Sequence, residues 1–542
     1  MSRERLYLFD TTLRDGAQTT GVDFKLADKR RIAKVLDDLG VDYIEGGYPG
    51  ANQTDTEFFA ADPAYANAKF TAFGMTKRPG RSVHNDPGFQ GLLQSRANAI
   101  CLVAKSWDYH VRVALGCTNE ENLVAIRESI AAVVQSGREA MLDAEHFFDG
   151  YKANREYARA VLLAAYEAGA RWVVLCDTNG GTLPHEVERI VKEVAEIIPG
   201  SHLGIHTHND TENAVANTLI AVRAGCRQIQ GTLNGLGERC GNANMTSIIP
   251  TLLLKSEYAD RFDTGVTPER LRMLTHASRV LDEVVNQSPY RHAPYVGESA
   301  FATKAGIHAS AILKDPETYE HVPPEAVGNK RRLLVSDQGG RSNIVAELAR
   351  LGIQVDKDDQ RIPVLLEAVK QREAQGYSYE SADASFELLA RRELGEVPRY
   401  FSIDSFRVMV ERRHNARGDL VTVSEATVKV FINGDEEPLW SVSEGNGPVN
   451  ALDSALRKDL GRYQDHIKDV ELVDYKVRIL TAGGGTEAVT RVLVESHDKA
   501  TGDRWLTVGV SPNIIDASFE ALVDSINYKL MKDGAAASAH VA

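Results

Sequence analysis

Eight short apolar runs recur along the first half of the chain, each followed by a stretch with helical patterning. They are 5–9 (RLYLF), 41–46 (VDYIEG), 69–74 (KFTAFG), 99–104 (AICLVA), 140–145 (AMLDAE), 172–177 (WVVLCD), 202–207 (HLGIHT) and 228–233 (QIQGTL). Their starts lie 36, 28, 30, 41, 32, 30 and 26 residues apart. Parallel strands need a crossover of a dozen or more residues, usually a helix. Segments such as LADKRRIAKVLDDLG and TENAVANTLIAVRAG supply it. Eight strand–helix units in about 250 residues fit a closed (β/α)8 barrel of the TIM type. A doubly wound open sheet competes, but the unit number and even spacing favour closure.

The pattern changes after the barrel. Residues 1–260 are read as the barrel and 261–400 as mainly helical connecting subdomains that contribute to the active site. Residues 401–542 are read as a duplicated ββα domain. The duplication shows in EATVKVFINGDEEPLWSVSEGNGPVNALDSALRKDL and AVTRVLVESHDKATGDRWLTVGVSPNIIDASFEALVDSINYKL, where GPVNALDSAL and NIIDASFEAL occupy equivalent places. Such internal symmetry suits a homodimer, either through a plain oligomerisation domain or with an effector site between equivalent elements.

Bulk composition excludes several classes. A net charge of −14 argues against a nucleic-acid binder. No apolar run approaches the roughly 20 residues that span a membrane, and the start MSRERLYLFD lacks a secretory signal. The five cysteines include no C-x-x-C pair. That suits a reduced, cytoplasmic protein in which each cysteine is core packing. Cys240 has no evident base beside it and is not read as a nucleophile.

In such barrels the active site lies at the C-terminal ends of the strands. The seventh run ends GIHTHND, so His206 and His208 face one side. Two imidazoles on one face form half of a metal site. The first run leads to Arg14 and Asp15. The last leads into NGLGERCGNAN, where glycines turn the backbone and Asn242 offers an amide oxygen. Asp, His, His and Asn suit a divalent Mg, Mn, Zn or Co ion, with two positions left for a chelating substrate. Glu145 ends the fifth run as an acid, a base or a salt-bridge partner of Arg14 or a lysine. Thr178 ends the sixth as a carboxylate ligand or a helix cap.

The motifs DTTLRDGAQ, HTHND and NGLGERCGNAN resemble signatures of the acyltransferase family that contains 2-isopropylmalate, homocitrate and citramalate synthases. IEGGYPGANQTDTEFF, FGMTKRPG, DAEHFFDGYKAN and GIHASAILKDPETYEH resemble the citramalate branch. The resemblance covers essentially the whole chain. It implies condensation of acetyl-CoA with pyruvate to (R)-citramalate and CoA, at the head of a threonine-independent isoleucine route. It also implies a terminal domain that senses isoleucine.

Residue by residue, the resemblance implies Asp15, His206, His208 and Asn242 as metal ligands and Arg14 as the group steadying the keto oxygen. Glu145 and Thr178 would line the keto-acid pocket. His308, in AGIHAS, would be the catalytic histidine, with Tyr319, in PETYEH, close by. Arg14 and Asp15 are then expected to serve one substrate oxygen rather than each other. The nearest alternative is a 2-isopropylmalate synthase acting on 2-ketoisovalerate. From a different class, a metal-dependent hydrolase would use the same histidines, although such barrels commonly carry H-x-H on the first strand. A related lyase that cleaves hydroxymethylglutaryl-CoA would lack the terminal repeat.

Overall fold

The computed structural model describes residues 3–61, 64–334, 340–356, 359–379, 382–414, 416–432, 436–480 and 488–537. These divide into two compact units, one of residues 1–301 with 321–331 and one of 302–320 with 332–542.

The first unit is a closed barrel of eight parallel strands in sequence order. They are β1 (Tyr7–Asp10), β2 (Tyr43–Gly47), β3 (Lys69–Met75), β4 (Ala99–Lys105), β5 (Glu139–Glu145), β6 (Trp172–Asp177), β7 (Leu203–Thr207) and β8 (Gln228–Gly231). All eight expected runs carry a barrel strand. The first begins later than its apolar run: Glu4–Arg5 leave the barrel and pair with Phe262–Asp263. The last stops at Gly231, because Asn234 and Gly235 adopt φ of +57° and +71° and curl the chain into a turn.

Phe9, Tyr43, Cys101, Met141, Trp172 and Val174 fill the barrel interior. The surrounding helices bury their apolar faces against the outside of the strands. Local signals start and stop these helices. Thr118 and Glu121 form a capping box that opens Asn119–Gln135, and Gly137 follows with φ of +79°. Cys101, Cys176 and Cys226 are core packing as expected, whereas Cys240 is exposed because its loop runs over the surface.

The second unit begins with the short strand Ala302–Thr303, paired in parallel with Arg332–Leu333, and its helices are α1 (Gly306–Ile312), α2 (Arg341–Arg350), α3 (Arg361–Ala374) and α4 (Asp383–Glu393). Two three-stranded antiparallel sheets follow: β9 (Phe401–His414), β10 (Leu420–Ile432) and β11 (Leu439–Gly445), then β12 (Val470–Ile479), β13 (Thr490–Asp498) and β14 (Arg504–Ser511). Each sheet packs a helix, α5 (Pro448–Asp459) and α6 (Ile514–Lys532) respectively. The duplication is real, and each copy carries one strand more than the expected ββα. Part of the turn between β10 and β11, residues 433–435, lies outside the described residues.

A hydrogen bond fixes the alignment of the two copies. Ser441 Oγ donates to the Ala455 carbonyl at 2.8 Å, and Thr507 Oγ1 donates to the Ala521 carbonyl at 2.7 Å, each partner 66 positions from its counterpart. The equivalent outer faces differ. Val508 is 1% exposed under Phe386 and Ile344 of the helices, whereas its counterpart Val442 is 49% exposed. Among the described residues no helix is long and apolar enough to cross a membrane.

Candidate active site

The site grows from three strand ends. After β1 the chain makes a tight turn in which the Asp15 N–H donates to the Thr11 carbonyl at 2.9 Å. Asp15 therefore stands one turn beyond its strand, not at its last residue. His206 lies in β7 and His208 just past it, with ring centroids 5.1 Å apart. His208 then forms an antiparallel bridge with Asn242, which brings the loop after β8 across the mouth. Gly237 and Gly241 permit that approach. A Cβ on Gly237 would lie 2.2 Å from Asn242 Nδ2, and one on Gly241 would lie 2.0 Å from the Gly235 carbonyl oxygen.

Asp15, His206 and His208 bring one ligand atom each within 4.8 Å of one another, and all three are buried. His206 Nε2 is 3.2 Å from His208 Nε2 and 3.8 Å from Asp15 Oδ2. The outer contacts of His206 fix its tautomer. Gln230 Nε2 donates to Asp143 Oδ1 at 3.0 Å, so Gln230 Oε1 is left to accept from His206 Nδ1 at 2.9 Å. The Nε2 lone pair is then free toward the cluster. Asn242 Nδ2 donates to Asp15 Oδ1 at 2.8 Å, while Asn242 Oδ1 is buried without a hydrogen-bond partner.

Electrostatics favour the same reading. Burial opposes ionisation of Asp15, but Arg14, the two histidines and Asn242 hold its carboxyl at about 2. Burial, reinforced by His206, lowers His208 to about 4, and burial lowers His206 as well. At neutral pH the cluster is one carboxylate and two neutral imidazoles, with an orphaned amide oxygen beside them. That donor set fits a divalent cation of mixed N/O preference.

Arg14 departs from expectation. Its Nη1 donates to Asp15 Oδ2 at 2.8 Å and its Nε to Glu45 Oε2 at 2.7 Å, with the guanidinium 3.9 Å from the Phe73 ring centroid. The neighbours do pair with each other, because a buried arginine needs carboxylates to hold its charge. The two bonds use Nε and Nη1, which leaves Nη2 for another acceptor.

The structure distributes the remaining candidates. Glu145 forms an ion pair with Lys105, its register neighbour on β4. Thr178 Oγ1 accepts from the His146 N–H at 2.8 Å, which holds His146 in a left-handed conformation. His308, on α1, and Tyr319, beyond it, belong to the second unit, where both are exposed and their ring centroids lie 4.3 Å apart with the planes tilted by 32°.

Sequence reasoning missed a second buried cluster, Glu45, Cys101 and Asp143, with ligand atoms also within 4.8 Å. Burial outweighs Arg14 and raises Glu45 to about 7, and burial raises Asp143 too. The signal was present: Asp143 precedes Glu145 by two residues and so shares its face. Also missed was Arg239, in a left-handed conformation. It grips Asp210 through Nε at 2.7 Å and Nη2 at 3.0 Å, and Nη2 also donates to the Thr178 carbonyl at 2.7 Å. One side chain thus ties together the loops after β6, β7 and β8.

Comparison with known proteins agrees with this architecture. Residues 5–276 match the HMGL-like family, 295–376 the homocitrate synthase post-HMGL domain-like family, and 380–530 the LeuA allosteric (dimerisation) domain. The chain is 51% identical to an (R)-citramalate synthase of Aquifex aeolicus, over 98% of each chain.

The chain belongs to the (R)-citramalate synthase family.

A second such synthase, from Geobacter sulfurreducens, is 50% identical over 97% of each chain. A probable 2-isopropylmalate synthase of Methanopyrus kandleri is 33% identical, over 97% of this chain and 98% of its own. The (R)-citramalate synthase family is one of acetyl-CoA-dependent condensing enzymes of the acyltransferase class.

Proposed function

We propose that the protein condenses acetyl-CoA with pyruvate to give (R)-citramalate and free CoA. The observation that carries this reading is the convergence of Asp15, His206 and His208, buried and with neutral imidazoles, at the barrel mouth. Identities of 51% and 50% to two (R)-citramalate synthases, against 33% to the 2-isopropylmalate synthase, favour pyruvate over 2-ketoisovalerate.

Asp15, His206 and His208 would hold a divalent Mg, Mn, Zn or Co ion, with Asn242 Oδ1 as a fourth donor. Such an ion supplies Lewis-acid polarisation of a 2-keto acid. Arg14 is fixed by two carboxylates and offers Nη2 to the oxygen on which charge develops, a preorganised contribution. Thr178 already accepts from His146 and so directs its own proton outward, toward a substrate carboxylate. Glu145 lines the same pocket, its charge balanced by Lys105.

The acetyl methyl must lose a proton, and we assign that to His308, with Tyr319 against its ring. The resulting enolate carbon bonds to the keto carbon, whose oxygen takes up a proton. Water then cleaves the thioester to release CoA and the free acid.

The reading extends to a cytoplasmic homodimer whose terminal domain, residues 401–542, binds an isoleucine-type effector, with residues 261–400 relaying the effect. The match to a LeuA allosteric (dimerisation) domain supports this extension. The decisive experiment measures free-CoA release from acetyl-CoA against a panel of 2-keto acids, with and without chelator. Pyruvate should be preferred and chelator should abolish turnover. Comparable turnover with 2-ketoisovalerate, or indifference to chelator, would reject the assignment.

A further inference from the structure

The helix Leu26–Leu39 packs on the barrel through Ile32, Ala33 and Leu36. Lys29 occupies the preceding place in that apolar stripe and is 5% exposed. A lysine is almost never so deeply buried unless it is paired. Its ammonium has three donors, and all three are used. Nζ donates to the Leu13 carbonyl at 2.9 Å and to the Gly46 carbonyl at 2.8 Å, and it forms an ion pair with Asp55.

The two carbonyls flank the buried ion pair of the site. Leu13 directly precedes Arg14, and Gly46 directly follows Glu45, which accepts from Arg14 Nε at 2.7 Å. One ammonium therefore ties together the two backbone segments that carry Arg14 and its counter-charge. The tie is needed because β2 bulges between Glu45 and Gly47, so its ladder alone does not aim Glu45.

Asp55 anchors the ammonium. Its own N–H donates to the cap Asn52 at the start of the helix Gln53–Phe58. Its carboxylate accepts from the Tyr48 N–H at 2.9 Å and from Asn52 Nδ2 at 3.0 Å. Gly47 leaves room for it, since a Cβ there would lie 2.4 Å from Asp55 Cγ. Tyr48 meets Phe73 edge-on with ring centroids 6.2 Å apart, and Phe73 is the ring under the Arg14 guanidinium. The backbone of Arg14, its carboxylate partner and its aromatic floor thus all lead back to Lys29 and Asp55. Asp15 is held separately, by Thr11 and Asn242.

We propose that Lys29, anchored by Asp55, is a positioning residue that acts through Arg14 and fixes where its guanidinium meets the substrate oxygen. The proposal rests on the condensation reading above, which gives Arg14 that oxygen. A displacement of about 1 Å at such a group is enough to cost roughly 100-fold in rate.

The test uses the full-length protein supplied with Mn2+, and it measures free-CoA release from acetyl-CoA and pyruvate. Four proteins form a cycle: the unaltered chain, Lys29→Met/Asp55→Asn, Arg14→Ala/Glu45→Gln, and the combination of both pairs. Lys29→Met/Asp55→Asn removes both charges, so neither is left buried and unpaired. Its kcat should fall roughly tenfold or more, with the KM for acetyl-CoA and the bound Mn2+ unchanged. In the Arg14→Ala/Glu45→Gln background the same pair should cost less than about twofold, because the group that Lys29 positions is already gone. A lysine that only supports the fold would lower turnover equally in both backgrounds. If Lys29→Met/Asp55→Asn does not fold, Asp55→Asn alone, which keeps the ammonium, takes its place in the cycle with the same expectation. Undiminished kcat, an equal loss in both backgrounds, or loss of Mn2+ would overturn the proposal alone. An unaltered chain that releases no CoA with pyruvate would reject the condensation reading, and the proposal with it.

Discussion

Two clusters inside the barrel each bring three potential ligand atoms within 4.8 Å, yet they have opposite electrostatic characters. Asp15, His206 and His208 carry a single carboxylate held ionised near pKa 2, faced by neutral imidazoles. Glu45, Cys101 and Asp143 carry two carboxylates and a thiol whose ionisation burial resists throughout, with Glu45 raised to about 7. Burial is nearly the same, so the neighbours decide. The first cluster presents lone pairs that suit a cation. The second sets two acids against the single guanidinium of Arg14, and it relieves the excess negative charge by keeping a proton.

The sharpest way to break this contrast is to remove a ligand. Asp15→Asn or His206→Ala should take CoA release to background and leave the purified protein without stoichiometric divalent metal, measured by elemental mass spectrometry. Full metal content and turnover in either variant would erase the distinction between the clusters.

Arg14 touches both clusters, and removing it alone would strand Glu45 as an unpaired buried charge. In the double variant Arg14→Ala/Glu45→Gln, turnover should fall roughly 10²–10³-fold, as when one charge-stabilising donor is lost, while metal content is retained. A smaller effect is expected from Gln230→Ala, which frees His206 to change tautomer. Metal affinity should drop roughly 10–100-fold, read by competition with a fluorescent chelator.

The smallest effect is on stability against pH. Asp15 lies below its unfolded value of 3.8, so its contribution is present above that pH and lost as pH falls through about 2. Glu45 lies above its unfolded value of 4.5, so its contribution is full below that pH and lost as pH rises through about 7. Between pH 4.5 and pH 8 Glu45 should therefore contribute a loss of about 2–3 kcal/mol to the denaturant stability of metal-free protein, set against an opposite gain from His208, which is lowered to about 4. Glu45→Gln should make stability rise more with pH than in the wild type over that window, whereas an unchanged pH dependence would mean that Glu45 is not the proton carrier.

The barrel was legible because each strand must be followed by a crossover helix, which imposes a period on the chain. The convergence of His206, His208 and Asp15 was legible because such barrels gather their functional residues at one end of the strands. Glu45 and Gln230 were not, because one polar residue inside a buried run does not break the apolar pattern. The Glu145 ion pair depends on register, since Lys105 stands beside it only once β4 and β5 are aligned. The extra strand in each terminal repeat escaped because β9 and β12 precede the stretches in which the two copies visibly correspond.

The closed barrel has one consequence for how the chain fares when it is heated. Eight strands joined in a ring leave no strand of the barrel with an open edge. The two terminal sheets, by contrast, end at β9 and β11 and at β12 and β14, whose outer edges have no strand beside them among the described residues. A heat-damaged chain should therefore aggregate first through its last 140 residues or so, where β-strand edges are exposed, and the barrel should be the part that stays soluble longest.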